Sequence, residues 1–235
     1  MPIKTMKSAV YFGSKTIYPD MVTSSKSLLM HSDVDRIYFL IEDDQFPYEI
    51  PETIQTINIS KIVPQIYGES CPNMNTEWTY IGLIRTAFTK ILPDEKILSI
   101  DCDTIVDKDI SELWDINLDG FYFAAVKEPW LSRQNGYLYC NAGVMMINLK
   151  KLREDRKDDQ MIEALKTRRF PLVCQDVLNE YCKGSILEIP SDYNASQFTS
   201  ETSNRKIVHY AGYRLLWREE PLWKKYEAIP WFGSV

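Results

Sequence analysis

The chain has 235 residues, of which 45% are hydrophobic and 26% are charged, and its formal net charge is −6. These values predict a soluble globular protein with one large α/β domain or two small ones. A net negative charge gives no electrostatic attraction to nucleic acid or to anionic lipid, and so argues against both as partners.

No stretch of the sequence approaches the ~18 apolar residues of a membrane span. The first residues also lack an apolar run long enough for a secretory signal. The five cysteines are scattered and form no CxxC pair, which argues against a zinc site and against a disulfide framework. We therefore expect a reducing compartment and a cytoplasmic protein without a transmembrane segment.

In the first hundred residues, short apolar runs alternate with segments whose apolar residues recur three and four positions apart. The runs predict buried strands, and the spaced segments predict helices. The predicted strands cover residues 8–12, 36–41, 53–59 and 96–100, the helices cover 18–31 and 77–92, and a loop covers 61–76.

The alternation continues to the C-terminus and predicts a mostly parallel sheet covered by helices on both faces. Ligands of such sheets bind beyond the carboxyl ends of the strands. In this half the predicted strands cover 121–126, 139–149, 185–190 and 206–212, the helices cover 109–116, 150–169 and 175–183, and a loop covers 128–138.

Two acids, Asp101 and Asp103, directly follow the predicted strand 96–100. Carboxylates this close repel each other unless a cation joins them, and hard oxygen ligands suit Mg²⁺ or Mn²⁺. An ordinary acidic turn is the simpler alternative, but Asp109 is the better cap for the helix that follows. We therefore favour a metal site for the first pair.

A covalent phosphate acceptor is the other alternative for Asp101. The stretch DCDTIV is similar to the first motif of the haloacid-dehalogenase phosphatases, in which the first Asp is a nucleophile. Those enzymes also carry a later GDxxxD motif, and this chain contains no GD dipeptide. The phosphatase interpretation is therefore the less favoured one.

Several motifs in order resemble the retaining glycosyltransferases of family eight, the group of glycogenin and of the bacterial lipooligosaccharide galactosyltransferases. They are AVYFGSKTIYPDMVTSSKSLL, TYIGLIRTAF, ILSIDCDTIV, ELWDI, YCNAGVMMINLKKLR, CQDVLNEYCKG and VHYAG. The resemblance implies the GT-A fold, a single Rossmann-like αβα sandwich over residues 1–235. Its nucleotide-binding part would cover about 1–106, and its donor-sugar and acceptor part about 107–235.

The resemblance also implies a nucleotide-sugar donor, most often UDP-glucose or UDP-galactose, and a divalent metal, usually Mn²⁺ with Mg²⁺ as the alternative. Asp101 and Asp103 would be metal ligands, and His209 would be the third. A lone histidine is more often an ordinary hydrogen-bonding residue, but an imidazole ligand fits Mn²⁺ better than Mg²⁺. Cys102, between the two acids, would lie in the same donor site.

Further donor contacts are implied by the other motifs. The first loop would hold the nucleoside, and in it Tyr18 could stack on the base or simply begin a helix. Arg85 would hold the donor sugar or the first carboxylate. Gly143 would let the backbone approach the donor closely. The implied donor-site residues outside the acid pair are Phe12, Ser14, Thr16, Tyr18, Arg85, Asn141, Ala142, Gly143, Cys174, Gln175, His209, Gly212 and Arg214.

Two positions depart from the family pattern. Cys174 stands where the family usually has an Asp that binds sugar hydroxyls, and Leu215 stands where it has a diphosphate-binding Lys. Arg214 would replace that Lys, and Gly212 would present its amide to the β-phosphate. These departures keep open an alternative function, a catalytically impaired nucleotide-sugar-binding protein.

The predicted catalytic residues are Gln175, Asp176 and Arg85. Gln175 is a poor nucleophile, so we favour same-face attack, with Gln175 stabilising an oxocarbenium-like centre. The acceptor is a glycan, a glycolipid or a protein, and the sequence allows a homo-oligomer.

Overall fold

The computed structural model describes residues 6–76, 80–212 and 215–231. The strands in these ranges are β1 (Ser8–Phe12), β2 (Arg36–Ile41), β3 (Ile54–Asn58), β4 (Lys96–Ile100), β5 (Thr104–Val106), β6 (Phe123–Lys127), β7 (Cys140–Asn148), β8 (Ile186–Ile189) and β9 (Ile207–His209).

The α-helices are α1 (Tyr18–His31), α2 (Ile62–Tyr67), α3 (Phe88–Ile91), α4 (Pro129–Asn135), α5 (Leu149–Glu154), α6 (Lys157–Thr167), α7 (Cys174–Tyr181) and α8 (Pro221–Glu227). Short 3₁₀ helices cover Lys15–Ile17, Tyr80–Ala87, Ser111–Asp115, Ser191–Asn194 and Leu216–Glu219. No helix within the described ranges has both the length and the apolar character needed to cross a membrane.

Seven strands form one mixed sheet in the order β3-β2-β1-β4-β7-β6-β8. Neighbouring strands are parallel except that β7 runs antiparallel to both β4 and β6. The mostly parallel sheet predicted from the sequence is therefore confirmed. The chain order reverses between β1 and β4, and this switch point is where open α/β sheets bind their ligands.

The sheet is buried on both faces, as its apolar strands predict. In β1, Val10 packs into one core cluster, whereas Ala9 and Tyr11 pack into the cluster on the opposite face. The pairing of β4 with β7 carries the sheet across the predicted boundary near residue 106.

Two helices lie inside segments predicted as loops. Helix α4 has Pro129 in its first turn, where a missing backbone N–H costs nothing, and it ends at Gly136 with φ of 71°. Helix α2 tolerates Pro64 for the same reason, because this residue lies in the first turn. Both helices are too short to show a clear apolar period, which is why periodicity missed them.

Two predicted helices differ from the structure in another way. The predicted helix 150–169 is divided into α5 and α6 at Arg156, whose φ of 51° interrupts the helical hydrogen bonds. The predicted helix 77–92 is a 3₁₀ helix over Tyr80–Ala87 followed by α3, and its residues 77–79 lie outside the described residues.

A separate two-stranded sheet pairs β5 with β9 in antiparallel register. The predicted last strand, 206–212, is thus shorter than expected and has a partner that the sequence did not indicate. Trp217 and Trp223 are buried beside this ribbon with Tyr226 of α8. The tryptophans therefore pack as core residues.

Candidate active site

The turn that carries the two acids lies between the main sheet and the β5–β9 ribbon. On one side, the backbone N–H of Asp101 donates to the carbonyl oxygen of Gly143 at 2.7 Å, which extends the β4–β7 ladder by one bond. On the other side, Thr104 of β5 is paired with His209 of β9. Strand register alone therefore brings Gly143 and His209 to the acid pair.

Asp101, Asp103 and His209 form the candidate metal centre. One ligand atom from each residue can be chosen so that all three lie within 4.8 Å of one another. His209 Nε2 lies 3.2 Å from Asp103 Oδ1 and 3.8 Å from Asp101 Oδ2. The His209 side chain is only 4% exposed, whereas the carboxylates of Asp101 and Asp103 are 32% and 19% exposed. The cluster is thus closed by the ring on one side and reachable from solvent on the other.

The two carboxylates control the charge of the His209 ring. Burial opposes a positive charge on the ring, but Asp103 and then Asp101 outweigh burial, so the pKa of His209 is raised. A metal ion would need the neutral ring as its ligand, so metal and protons would compete for His209.

Arg85 holds the other oxygen of Asp101. Its guanidinium is buried, forms a short ion pair with Asp101 Oδ1, and donates to Ser99 Oγ at 3.2 Å. It also stacks over the ring of Phe12, 4.8 Å from the ring centroid. Asp101 therefore presents Oδ1 to Arg85 and Oδ2 to the metal cluster, in a fixed orientation.

Cys174 is the other neighbour of the Arg85 guanidinium. The Nη1 group of Arg85 lies 3.6 Å from Cys174 Sγ. Burial raises the pKa of this thiol, although the charge of Arg85 opposes the rise. Cys174 therefore offers a neutral thiol where a carboxylate would give Arg85 a second counter-charge.

Gly143 makes room for the His209 ring. A Cβ atom at Gly143 would lie 2.1 Å from His209 Cε1 and 2.9 Å from Asn141 Oδ1. The sequence resemblance had suggested that this glycine admits the donor. The close approach in the structure is that of the metal-cluster histidine.

Both terminal atoms of the Gln175 side chain form hydrogen bonds. Its Oε1 accepts the N–H of Ala142 at 2.8 Å, and its Nε2 donates to Glu128 Oε1 at 3.2 Å. Asn141 Nδ2 donates to the same Glu128 oxygen at 2.6 Å. The predicted residues Asn141, Ala142 and Gln175 therefore share one network, whose carboxylate, Glu128, was missed by the sequence interpretation.

Asp176 has a structural environment. It accepts the N–H of Leu172 at 2.7 Å and the hydroxyl of Tyr139 at 2.5 Å. The Tyr139 bond ties the first turn of α7 to the residue before β7, and the Leu172 bond holds the segment that leads into α7. The catalytic role of Asp176 stays a prediction. Its two hydrogen bonds give the carboxylate a structural role that needs no catalysis.

Glu128 gives a pH-dependent prediction. Burial raises its pKa, so the folded protein binds this proton more tightly than the unfolded chain, and stability falls as pH rises through the raised pKa. Glu128→Gln keeps an acceptor oxygen for both hydrogen bonds and removes the charge. We expect the Tm of the variant to exceed the wild-type Tm by a few degrees at neutral pH, and the gain to vanish in acid. Thermal unfolding over a pH series measures this.

The exposed Glu163→Gln is the control, because it removes a charge without a burial penalty. A Tm difference for Glu128→Gln that stays constant from acid to neutral pH would contradict the assignment.

The predicted nucleoside loop follows β1 at the switch point. The hydroxyls of Ser14 and Thr16 lie 3.0 Å apart near the surface. Tyr18 is buried, packs against Phe46, and hydrogen bonds through its hydroxyl to Asp43 at 3.0 Å. Base stacking by Tyr18 stays a prediction, and its observed packing is that of an aromatic at a helix start.

An open cavity of about 620 Å³ adjoins this loop. Lys15 and Asp43 form an ion pair at its wall, 2.7 Å apart. The volume lies within the range of small-molecule sites. The lining residues are Lys15, Tyr18, Asp43, Asp44, Gln45 and Pro47.

Cys102 points away from the acids that flank it. Its buried thiol donates to the carbonyl oxygen of Phe12 at 3.3 Å. Burial, followed by the charges of Asp101 and Asp103, raises its pKa well above the ordinary value. Any donor contact by Cys102 therefore falls to its backbone.

The predicted diphosphate segment is described only in part. Gly212 has φ of 84°, a left-handed conformation that favours glycine. A Cβ there would lie 2.8 Å from Nε2 of the exposed Gln197 side chain, which can move aside, so the backbone conformation is the reason for the glycine. Leu215 is also left-handed, with φ of 70°. Arg214, predicted to replace the family Lys, lies outside the described residues.

A buried ion pair joins the nucleoside loop to the C-terminal segment. Arg218 binds both oxygens of Asp20, which is 1% exposed, and donates to the carbonyl oxygen of Thr16 at 2.9 Å. Trp217 Nε1 donates to Asp20 Oδ1 at 3.3 Å. We call this set the Asp20–Arg218 clasp.

Arg218→Ala leaves the Asp20 carboxylate buried without its counter-charge. Removal of one partner of a buried pair costs about 3–5 kcal/mol, and we expect the lower end because Arg218 is partly exposed. Urea denaturation measures the loss. Arg168→Ala, which removes an exposed pair with Glu180, is the control and should cost under about 1 kcal/mol. Equal losses for the two variants would refute the clasp.

Solved structures with a similar fold include two glycosyltransferases. The galactosyltransferase LgtC in complex with donor and acceptor sugar analogues has a TM-score of 0.74 at 18% identity, over 95% of this chain and 97% of that one. GlyE from Streptococcus pneumoniae has a TM-score of 0.69 at 22% identity, over 97% of this chain and 62% of that one. The fold is thus the GT-A fold, and its acid cluster at the switch point suits the glycosyltransferase class.

The chain belongs to Glycosyl transferase family 8, whose family model matches residues 10–220. A putative glycosyltransferase of Haemophilus influenzae is 28% identical over 164 residues, which is 60% of this chain and 49% of that protein. The probable glycosyl transferase Gly of Streptococcus gordonii is 22% identical over 231 residues, 90% of this chain and 34% of that protein. The chain thus spans about a third to a half of the length of these relatives.

The family predicted from the motifs is thereby confirmed. The phosphatase interpretation of Asp101 loses its basis, because the match that includes the DCD turn is to a glycosyltransferase model.

Proposed function

We propose that the protein transfers a hexose from a UDP-sugar to an acceptor with a divalent metal held by Asp101, Asp103 and His209. The observation that carries the proposal is the convergence of these three ligand atoms within 4.8 Å at the carboxyl ends of β1 and β4. Binding at this end of the sheet is the rule for open α/β folds.

The three metal-ligand residues fit Mn²⁺, with Mg²⁺ as the alternative. Two carboxylates supply hard oxygens, and a histidine nitrogen shifts the preference toward Mn²⁺. Arg85 occupies one oxygen of Asp101 and leaves the other directed at the cluster. When bound, the metal supplies positive charge to a leaving diphosphate.

Other residues of the chain would bind the nucleoside and the donor sugar. We assign the nucleoside to the loop after β1, which has the cavity of about 620 Å³ beside it. We assign the donor sugar to a wall formed by Asn141, Ala142 and Gln175, which share a hydrogen-bond network beside Gly143. The Oε1 of Gln175 uses one lone pair on Ala142 and keeps a second for an electron-poor anomeric carbon.

Retention of anomeric configuration is proposed from the family, by attack from the same face as the leaving group. Glu128 lies in this wall, but its Oε1 already accepts two hydrogen bonds, which favours orientation over nucleophilic attack. The acceptor hydroxyl would then lose its proton to the leaving phosphate. UDP-glucose and UDP-galactose are the proposed donors, and a glycan, a glycolipid or a protein is the acceptor.

One relative bears on the acceptor class. The lipopolysaccharide 1,2-glucosyltransferase of Escherichia coli is 27% identical over 164 residues, 59% of this chain and 48% of that protein. A carbohydrate acceptor is therefore the first to test for this chain.

A panel of UDP-sugars with and without Mn²⁺ tests the proposal. We expect metal-dependent release of UDP and a rise in Tm with the preferred donor. Stabilisation by a UDP-sugar without any turnover would instead support the alternative, a nucleotide-sugar-binding protein with impaired catalysis. The neutral Cys174 beside Arg85 motivates that alternative. Absence of both stabilisation and turnover across the panel would refute the UDP-sugar assignment.

A further inference from the structure

The His209 ring is bonded on the side opposite the two acids. Its Nδ1 lies 2.8 Å from Oδ1 of Asn194, a residue with no exposed surface. Its Nε2 faces Asp103 and Asp101. The carboxylates attract a proton or a metal ion to Nε2, and the atom that Asn194 presents to Nδ1 decides whether Nδ1 also carries a proton.

The orientation of the Asn194 side-chain amide follows from the backbone N–H of Gly143, because both groups contact the side chain of Asn141. The N–H of Gly143 points at the Asn141 side chain at 2.8 Å, and a backbone N–H can only donate, so the atom that it meets is Oδ1. This same Oδ1 lies 2.8 Å from the Asn194 side chain. The Asn194 atom at that contact has to be a donor, which makes it Nδ2.

The other terminal atom of Asn194 is consequently an oxygen. It faces His209 Nδ1 and can only accept a hydrogen bond, so Nδ1 carries the proton. The other end of this chain of hydrogen bonds supports the same orientation of Asn141, because Asn141 Nδ2 donates to the Glu128 carboxylate at 2.6 Å. The polarity of every link between Glu128 and His209 is thus fixed.

The backbone around Asn194 is held as firmly as its side chain. The N–H of His209 donates to the carbonyl oxygen of Ala195 at 3.0 Å, and the Thr199 hydroxyl donates to the Asn194 carbonyl oxygen at 2.8 Å. Asn194 ends a short 3₁₀ helix that leads into this bridge. The amide therefore has little freedom to turn around.

We propose that Asn194 is a positioning residue, which with Asn141 holds His209 in the Nδ1–H tautomer and directs the Nε2 lone pair between Asp101 and Asp103. The inference rests on the proposed function for its metal. It goes beyond that function by assigning the control of the third ligand to two buried amides. Partners of this kind on a metal-binding histidine usually change metal affinity by about 10–100-fold.

Two substitutions of Asn194 separate this role from simple packing. Asn194→Leu has a similar size and no acceptor, so the Nδ1–H tautomer loses its support. Asn194→Asp keeps an oxygen for Nδ1–H but turns a second oxygen toward Asn141, so it should lower stability while it preserves the tautomer. Asn117→Leu, on an exposed turn, is the matched control.

The first measurement uses the metal-free protein. The chain has two histidines, so ¹⁵N-histidine labelling with a His31→Gln variant for assignment isolates the His209 signals. At pH values high enough for the His209 ring to be neutral, we expect Nδ1–H in the wild type and in Asn194→Asp. We expect a population of Nε2–H in Asn194→Leu. A wild-type ring protonated on Nε2 would overturn the proposal, whether or not any metal binds.

The second measurement is Mn²⁺ affinity, from the electron paramagnetic resonance signal of the free ion. We expect Asn194→Leu to bind about 10–100-fold more weakly than the wild type, and Asn194→Asp and Asn117→Leu to stay within a few-fold. Wild-type affinity in folded Asn194→Leu would overturn the role of Asn194. Failure of the wild type to bind Mn²⁺ would instead overturn the proposed metal site, and the tautomer measurement would still stand on its own.

Discussion

Asp103→Asn is expected to lower the transfer rate by about 10²–10³-fold, the usual cost of losing one group that stabilises developing charge. The substitution keeps the size of the side chain and removes the charge that faces His209 Nε2 at 3.2 Å. An amide oxygen is a weaker ligand than a carboxylate, so Mn²⁺ affinity should fall together with the rate. Steady-state kinetics at several Mn²⁺ concentrations measures both quantities.

Asp115→Asn is the matched control, since it makes the same chemical change on an exposed residue outside the cluster. Its rate and its Mn²⁺ affinity should equal those of the wild type. Unchanged Mn²⁺ affinity in Asp103→Asn would refute the metal assignment.

Gly143→Ala should disable the site by a single methyl group. The added Cβ would lie 2.1 Å from His209 Cε1 and 2.6 Å from Nδ1, so the ring has to leave its place. Overpacking of this kind costs about 1–3 kcal/mol of stability. Displacement of a metal ligand should also lower Mn²⁺ affinity at least about tenfold. Thermal unfolding and metal titration test the two effects separately.

A double substitution gives the control for Gly143→Ala. His209→Ala removes the ring that the new methyl group would strike, so the loss of stability in Gly143→Ala should be largely absent when both changes are present. Non-additivity of this kind is the mark of residues in direct contact. Additive losses of stability would show that the methyl group clashes elsewhere.

Strong local patterns in the sequence were sufficient for four elements in the first half of the fold. The predicted bounds of β1, α1, β2 and β4 match the structure, because a buried parallel strand is a continuous apolar run and Pro19 marks the first turn of α1. The strands β5 and β9 are only three residues long, and their pairing depends on contacts between distant parts of the chain. No local pattern announces such a pair.

The same distinction applies to the site. Asp101 and Asp103 have a local signal, two acids directly after an apolar strand. Glu128 and Asn194 have none, because their roles arise from strand register and from hydrogen bonds to residues far away in sequence. Glu128 precedes Pro129 at the start of a helix, which in sequence is an ordinary place for an acid.

Gly143 illustrates a residue that was found for an incomplete reason. The motif predicts a close approach between this backbone and the donor, which stays a prediction, and the structure shows a close approach by another group. The sequence could not show that the approaching group is the His209 ring, which arrives from β9 through the β5–β9 pairing.

The separation of the β5–β9 ribbon from the main sheet has a dynamic consequence. His209 is the last residue of a three-residue strand, whereas Gly143 and Asp101 belong to the seven-stranded sheet. Strands of three residues have few ladder hydrogen bonds, so we expect the ribbon to open before the central strands do, although its side chains are buried. Ligation by His209 would then fasten the C-terminal segment to the sheet. Amide hydrogen exchange should slow in β9 when metal is added and remain unchanged in β1. Metal affinity would then depend on how often the ribbon opens.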